Sequence, residues 1–229
     1  MKMKDSPIVL GELSSAQWGL FTSAQAAELG VSRLGLSRLA EVGLLERVSH
    51  GVYRDSGAAT DKCESLRPAW LSLEPSLEAG ARLVKPERDV VVSGTSAAIL
   101  HGIGDLREDR FEFATSNRRQ TQRTELHFTI RRLDRGQVTI RHGLPTTVER
   151  TLSDLIAART DLTLVAEALG DSMRQGSINL SELSRQLAPL AARSGPPKNN
   201  GNAFVARLLL LTGLDPATIA SRIADLMFP

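Results

Sequence analysis

At 229 residues the chain has room for one large or two small domains with a stable interior. Its 41% hydrophobic and 24% charged content is that of an ordinary globular protein, and a net charge of +2 is too small by itself to imply a polyanionic partner. A single cysteine, Cys63, excludes an internal disulfide framework and a cysteine-rich zinc site; a reduced, partly buried structural thiol is expected there.

No apolar run reaches the roughly 18 residues that would mark a membrane span. Met1–Leu10 carries lysines but neither a long apolar region nor a small-residue cleavage site, so an export signal is not expected and the cytoplasm is the default compartment. Residues 1–11 read as a loose arm. Ser14 or Ser15 can cap a first helix running through Gln17, Trp18 and Leu20.

Residues 22–57 read as a helix-turn-helix followed by a wing. Ser23 is the expected N-cap of a short helix, Ala24–Leu29, which Gly30 ends. Val31 is an apolar pin and Ser32 a second N-cap. A longer helix, Arg33–Val42, offers Leu34, Leu36, Leu39, Ala40 and Val42 for burial before Gly43 closes it. Two helices joined by a turn containing glycine form the supersecondary unit common in DNA-binding proteins. Leu44–Val48, a turn at Ser49-His50-Gly51, and Val52–Arg54 make the hairpin of the wing.

In such a unit the second helix enters the major groove with its N-terminal residues toward the base edges. Here those are Ser32, Arg33, Ser37 and Arg38; arginine can hold guanine through two bonds, and serine can donate to phosphate or base. At the wing tip Ser49 and His50 can lie along the backbone or in the minor groove, with Arg47 and Arg54 as phosphate contacts. Winged helices also serve as protein-interaction modules, and residues 1–57 hold six Lys/Arg against six Asp/Glu, so no bulk positive field assists binding.

Residues 55–61 are small and polar and read as a domain boundary. Lys62–Leu83 is expected to be mostly helical, with Trp70 in the core and Pro68 and Pro75 breaking or starting turns. Asp89–Ser93 reads as a buried strand, and Gly94-Thr95-Ser96 as a tight turn into a helix, Ala97–His101. A strand, a turn and a helix N-terminus can hold an anion, but both glycine-rich phosphate-binding patterns are absent and a plain corner is preferred. His101 is expected to be a hydrogen-bonded packing residue.

Phe111–Thr115, Leu126–Arg132 and Val138–His142 read as strands of an antiparallel or mixed sheet. Residues 117–141 carry seven arginines against two acids, the most basic stretch of the chain. Two readings of it stand: a solvated sheet face, or a loop, Asn117–Thr124, whose Arg118, Arg119 and Arg123 swing onto a phosphate backbone. Thr146 or Thr147 caps the next helix, whose buried stripe is Val148, Leu152, Leu155 and Ile156. Arg150 and Asp154, four apart, are expected to pair. Residues 161–175 and 179–192 are two more amphipathic helices. Ser194–Asn202 reads as a flexible loop, and the apolar, helical end either folds back on the second domain or offers a partner surface.

Three stretches together resemble the AbiEi family of bacterial antitoxins, the antitoxin half of abortive-infection toxin–antitoxin operons. They are GLFTSAQAAELGVSRLGLSRLAEVGLLERVSHGVY at 19–53, VSGTSAAILHGIGD at 92–105 and GLPTTVERTLSDL at 143–155. The likeness spans roughly residues 13–160. It implies an α+β fold: a winged helix-turn-helix over residues 1–57, then an antitoxin domain over 58–229 with a small mixed sheet packed by helices.

It also implies a transcriptional autorepressor that binds inverted repeats in its own promoter. The cognate toxin it antagonises would be of the nucleotidyltransferase type, with or without direct contact. Carried onto this chain, base reading falls to Ser32, Arg33, Ser37 and Arg38 and backbone contact to Arg47, His50 and Arg54. The near-neutral N-terminal part departs from a strongly basic DNA binder, which suggests that Arg118–Arg123 add backbone affinity on the same face or at a neighbouring half-site.

Two half-sites can be filled by monomers binding cooperatively. No cofactor, metal or catalytic role is expected. A metal-dependent nuclease needs clustered carboxylates with a lysine, and the second part shows no Asp…Glu-x-Lys in a strand context, no His-x-x-x-His and no Gly-x-Ser-x-Gly. The rival readings are a module that sequesters a toxin without binding DNA and a nuclease-like DNA-processing protein.

Overall fold

Leu10 and Leu13 lie three apart, one helical turn, and both are buried; they anchor α1 (Ser6–Ser15) where the sequence suggested a loose arm and then a later helix. The computed structural model describes residues 6–193 and 199–227, so the first five residues lie outside the described part. The expected helix through Gln17–Leu20 is instead a chain reversal. Trp18 and Gly19 take positive φ, 59° and 77°, and turn the backbone into a strand, β1 (Leu20–Thr22).

Thr22, one residue before the expected Ser23, caps α2 (Ser23–Glu28): its hydroxyl accepts from Gln25 N while Gln25 Oε1 accepts from Thr22 N, a reciprocal capping box. The helix α3 (Arg33–Glu41) follows, then β2 (Leu45–Ser49) and β3 (Val52–Asp55). The three strands form one antiparallel sheet in the order β1-β3-β2. Leu10, Leu13, Phe21, Ala26, Val31, Leu36 and Leu45 make its core, with Phe21 stacked on Tyr53.

The chain divides into two compact units, Met1–Val90 and Val91–Pro229, so residues 58–90 sit with the first unit rather than beyond a boundary at 57/58. The reason is polar as well as apolar. Gln17 and Gln25 are buried and bond to each other. Gln25 Nε2 also donates to Leu77 O (2.9 Å), Gln17 Oε1 accepts from Ala79 N (2.7 Å), and Thr22 Oγ1 donates to Pro75 O. The expected long helix over 62–83 is two short ones, α4 (Leu66–Leu71) and α5 (Ala79–Leu83). Trp70, in α4, is fully buried; its Nε1 donates to Val90 O at 2.7 Å, and the Arg82 guanidinium of α5 lies 3.4 Å from its ring centre.

The second unit begins with β4 (Val91–Val92), α6 (Gly94–His101), β5 (Phe111–Thr115) and β6 (Leu126–Ile130). Its sheet order is β4-β5-β6, with β4 antiparallel and β6 parallel to β5, a mixed sheet. A parallel pair needs a return crossing, which stretch 116–125 supplies without helix or strand. A separate hairpin pairs β7 (Thr139–Arg141) with β8 (Leu144–Thr146), the latter read from sequence only as a lead-in to a helix.

Helices α7 (Val148–Ala157), α8 (Leu162–Arg174), α9 (Leu180–Leu187), α10 (Gly201–Leu210) and α11 (Pro216–Met227) complete it. The stripe Val148, Leu152, Leu155 and Ile156 is buried with Leu169, Leu187, Phe204, Leu208 and Leu226. The C-terminal helices therefore fold back into the core of this unit. Of the loop expected at 194–202, residues 194–198 lie outside the described part, while Asn200 caps α10 and Gly201–Asn202 begin it.

Candidate nucleic-acid interface

The turn between α2 and α3 is set by Gly30, whose φ of 78° a side chain would oppose, and by Val31, 3% exposed, which pins it to the core. Ser32 is the N-cap as expected: its hydroxyl accepts from Gly35 N at 3.1 Å. One side of α3 then turns inward. Leu36 is fully buried and Leu39 and Ala40 pack against the core. The other side carries Arg33, Leu34, Ser37, Arg38, Glu41 and Val42, all exposed. Leu34 and Val42, read from sequence as burial candidates, are 62% and 69% exposed; a nine-residue helix has one inward stripe, and Leu36 and Leu39 occupy it.

Gly51 (φ 71°) closes the wing, and its carbonyl accepts from Ser23 N at 2.8 Å, tying the wing tip to the start of α2. A register shift between Arg47 and Ser49 makes a bulge in β2 next to the tip. Arg47 and His50 are exposed. Arg54 is not available in the same way: its guanidinium donates to Glu46 at 2.6 Å and lies 3.6 Å from Glu64, with the side chain 18% exposed. Ser37 donates to Glu41 Oε1 at 3.2 Å. The other arginines of this module, Arg33, Arg38 and Arg47, are exposed.

The second unit presents Arg118, Arg119 and Arg123 on the return stretch 116–125, Arg118 exposed and Arg119 half-buried. Arg123 is held by Glu125 at 2.7 Å, and that bond keeps the Glu125 carboxyl below the usual carboxylate range.

A cleft of about 250 Å³ in the same unit is lined by Ser93, Gly94, Glu112, His127, Thr129, Arg131, Asp154, Ala157 and Ala158. Glu112 Oε2 accepts from Thr95 N at 3.0 Å, so the anion place read in Gly94-Thr95-Ser96 is taken by the chain's own carboxylate. Gly94, at φ 53°, leaves it room, since a Cβ there would overlap Glu112. Ser96 bonds to Glu108, whose carboxyl is pushed up chiefly by burial. Asp154 takes the expected partner Arg150 at 3.1 Å and also Arg131 at 3.3 Å, the latter invisible to helical spacing. Burial lowers the Arg150 pKa and the Asp154 charge opposes that. His101 is buried with its Nε2 3.1 Å from Thr146 Oγ1, a packing role as read. Among the described residues no group of three or more His, Cys, Asp or Glu is placed to hold a metal ion, and no helix is long and apolar enough to cross a membrane.

Residues 10–54 match the family model described as "Transcriptional regulator, AbiEi antitoxin". The match covers the winged helix from α1 to the last strand of the wing, so the resemblance carried by residues 19–53 is borne out there. Among solved structures, the crystal structure of the RV2827C protein from Mycobacterium tuberculosis is similar in fold at a TM-score of 0.52 and 19% identity, covering 95% of this chain and 80% of that one. No curated protein matches the chain.

Proposed function

We propose, on the premise that the segment 10–54 is the regulator module of an AbiEi-type antitoxin, that this chain binds its own operon promoter as an autorepressor and neutralises a cognate nucleotidyltransferase-type toxin. The α3 helix reads base edges in the major groove of inverted repeats with Arg33 and Arg38, Ser37 beside them. Arg47 and His50 contact the backbone at the wing, and Arg118 and Arg119 add phosphate contacts of their own. The second unit supplies antagonism of the toxin and performs no bond-breaking. The protein works in the cytoplasm.

The observation that supports this reading best is the outward placement of Arg33 and Arg38 on a helix whose first turn is capped and whose other side is locked into the core. The test is a fluorescence-anisotropy titration of a labelled duplex from upstream of the chain's own reading frame. Arg33→Ala and Arg38→Ala should each weaken binding by about 1–3 kcal/mol and relax base preference. Unchanged affinity in both refutes the groove assignment.

A second reading is favoured by the even balance of charge in residues 1–57 and by exposed Leu34, Val42 and Leu44: a module that sequesters the toxin without DNA. It gains if the promoter duplex never binds while the neighbouring gene product co-elutes with the chain in size-exclusion chromatography.

A further inference from the structure

Leu34 is the one large apolar side chain on the outward side of the first turn of α3, and it is 62% exposed. The core does not account for it, because Leu36 and Leu39 fill the inward stripe. It stands beside Arg33 in sequence and one turn before Arg38, so it shares the exposed side of the helix with both. Ser37, its other neighbour along the turn, has its hydroxyl engaged by Glu41 toward the C-terminal end. A duplex that accepts Arg33 and Arg38 in its major groove therefore also receives an isobutyl group at the same depth.

The base edges exposed in the major groove are polar except for one group, the C5-methyl of thymine. We infer that Leu34 is a base-reading residue that packs on a thymine methyl beside the guanine held by Arg33 or Arg38. This rests on the promoter-binding reading and deepens it, because it names a specificity residue that hydrogen bonding alone does not reveal. Side chains one turn apart on a helix are about 5–6 Å apart at Cβ. Successive bases rise by about 3.4 Å along one strand. The thymine is accordingly one or two steps from the contacted guanine. Val42 lies two turns further along the same face, at the end that leaves the groove, and takes no base.

The experiment uses the full chain and the promoter duplex with each thymine of the protected stretch replaced singly by deoxyuridine. That exchange removes the methyl and leaves every hydrogen-bonding edge intact. Wild-type protein should lose about fourfold in affinity at one thymine per half-site, the value of one buried methyl-sized group. Leu34→Ala should still bind the same stretch but hold the thymine and deoxyuridine duplexes equally at that position. Position 34 is exposed and alanine is the better helix former, so this variant keeps the fold. Two results overturn the inference alone: wild type indifferent to deoxyuridine everywhere, or Leu34→Ala retaining the penalty. Failure of the wild-type chain to bind the duplex at all overturns the promoter reading and this inference with it.

Discussion

Gln25→Ala tests whether residues 58–90 are structurally part of the winged-helix unit. The Gln25 side chain accepts from Thr22 N (2.9 Å) and Gln17 Nε2 (3.1 Å), and donates to Gln17 Oε1 (3.2 Å) and Leu77 O (2.9 Å). The residue is 3% exposed, so truncation leaves Thr22 N and part of the Gln17 amide without partners and without ready access to water, and removes the bond to the carbonyl of the half-exposed Leu77. A neutral hydrogen bond contributes about 1 kcal/mol net and each buried group left unmade costs about 1–3 kcal/mol, so partial relaxation leaves an expected loss of about 3 kcal/mol. Alanine's higher helix propensity returns only a few tenths of that.

Urea unfolding followed by tryptophan fluorescence isolates the effect, because the only two tryptophans, Trp18 and Trp70, both lie in the first unit. With a slope of about 1–3 kcal/mol per molar urea, the midpoint should fall by about 1–3 M. A loss under about 1 kcal/mol would refute the reasoning. So would a fragment 1–57 that unfolds as cooperatively as a fragment 1–90, because only the longer one contains Pro75, Leu77 and Ala79.

Gly201→Ala should destabilise the second unit by about 1–3 kcal/mol in a thermal melt followed by circular dichroism, since the new Cβ would fall inside contact distance of the Ser184 carbonyl, backbone that cannot swing aside. Glu108 has its pKa raised by burial, with the neighbouring Glu112 charge adding and the Ser96 bond opposing. The folded state therefore binds its proton more tightly than the unfolded chain, and stability is lost as pH rises through the folded pKa. Denaturant titrations from about pH 4 to pH 7 should show Glu108→Gln gaining relative to wild type as pH rises; the opposite slope sinks the assignment. Arg119→Ala should weaken binding across promoter and random duplexes alike and flatten the salt slope by about 0.9, whereas a loss confined to one sequence would make Arg119 a base reader.

What the sequence made legible is local. Gly30, Ser32 and Gly43 punctuate α3 because a cap or a positive φ leaves its mark within a few residues, and the Val148–Ile156 stripe and the Arg150–Asp154 pair follow from helical period alone. What it hid is the long-range part. Gln25 meets Leu77 across 52 positions and Gln17 meets Ala79 across 62, and polar residues so placed look like surface until the fold closes over them. Glu112 on the α6 N-terminus and Arg131 on Asp154 were missed for the same reason. Leu34 failed differently. Its apolarity was right and its direction wrong, since the apolar residues of α3 outnumber the positions on its inward stripe.

The even charge balance of residues 1–57 need not count against DNA binding, because counterion release follows phosphate contacts rather than net charge. Arg54 is compensated by Glu46 and Glu64, and with Arg33 and Arg38 given to base edges the proposed arginine contacts to phosphate are Arg47, Arg118 and Arg119. Three such phosphate contacts give a salt slope near −3 per copy, about a third of that of strongly basic repressors. A module so lightly anchored depends on its base contacts and on filling both repeats together. Inserting about five base pairs between the repeats turns one half-site to the opposite face of the duplex. Binding to that duplex should drop to the single-site level in an anisotropy titration. Equal affinity for both spacings would mean that each copy holds its half-site alone, and that contacts beyond these three carry the affinity.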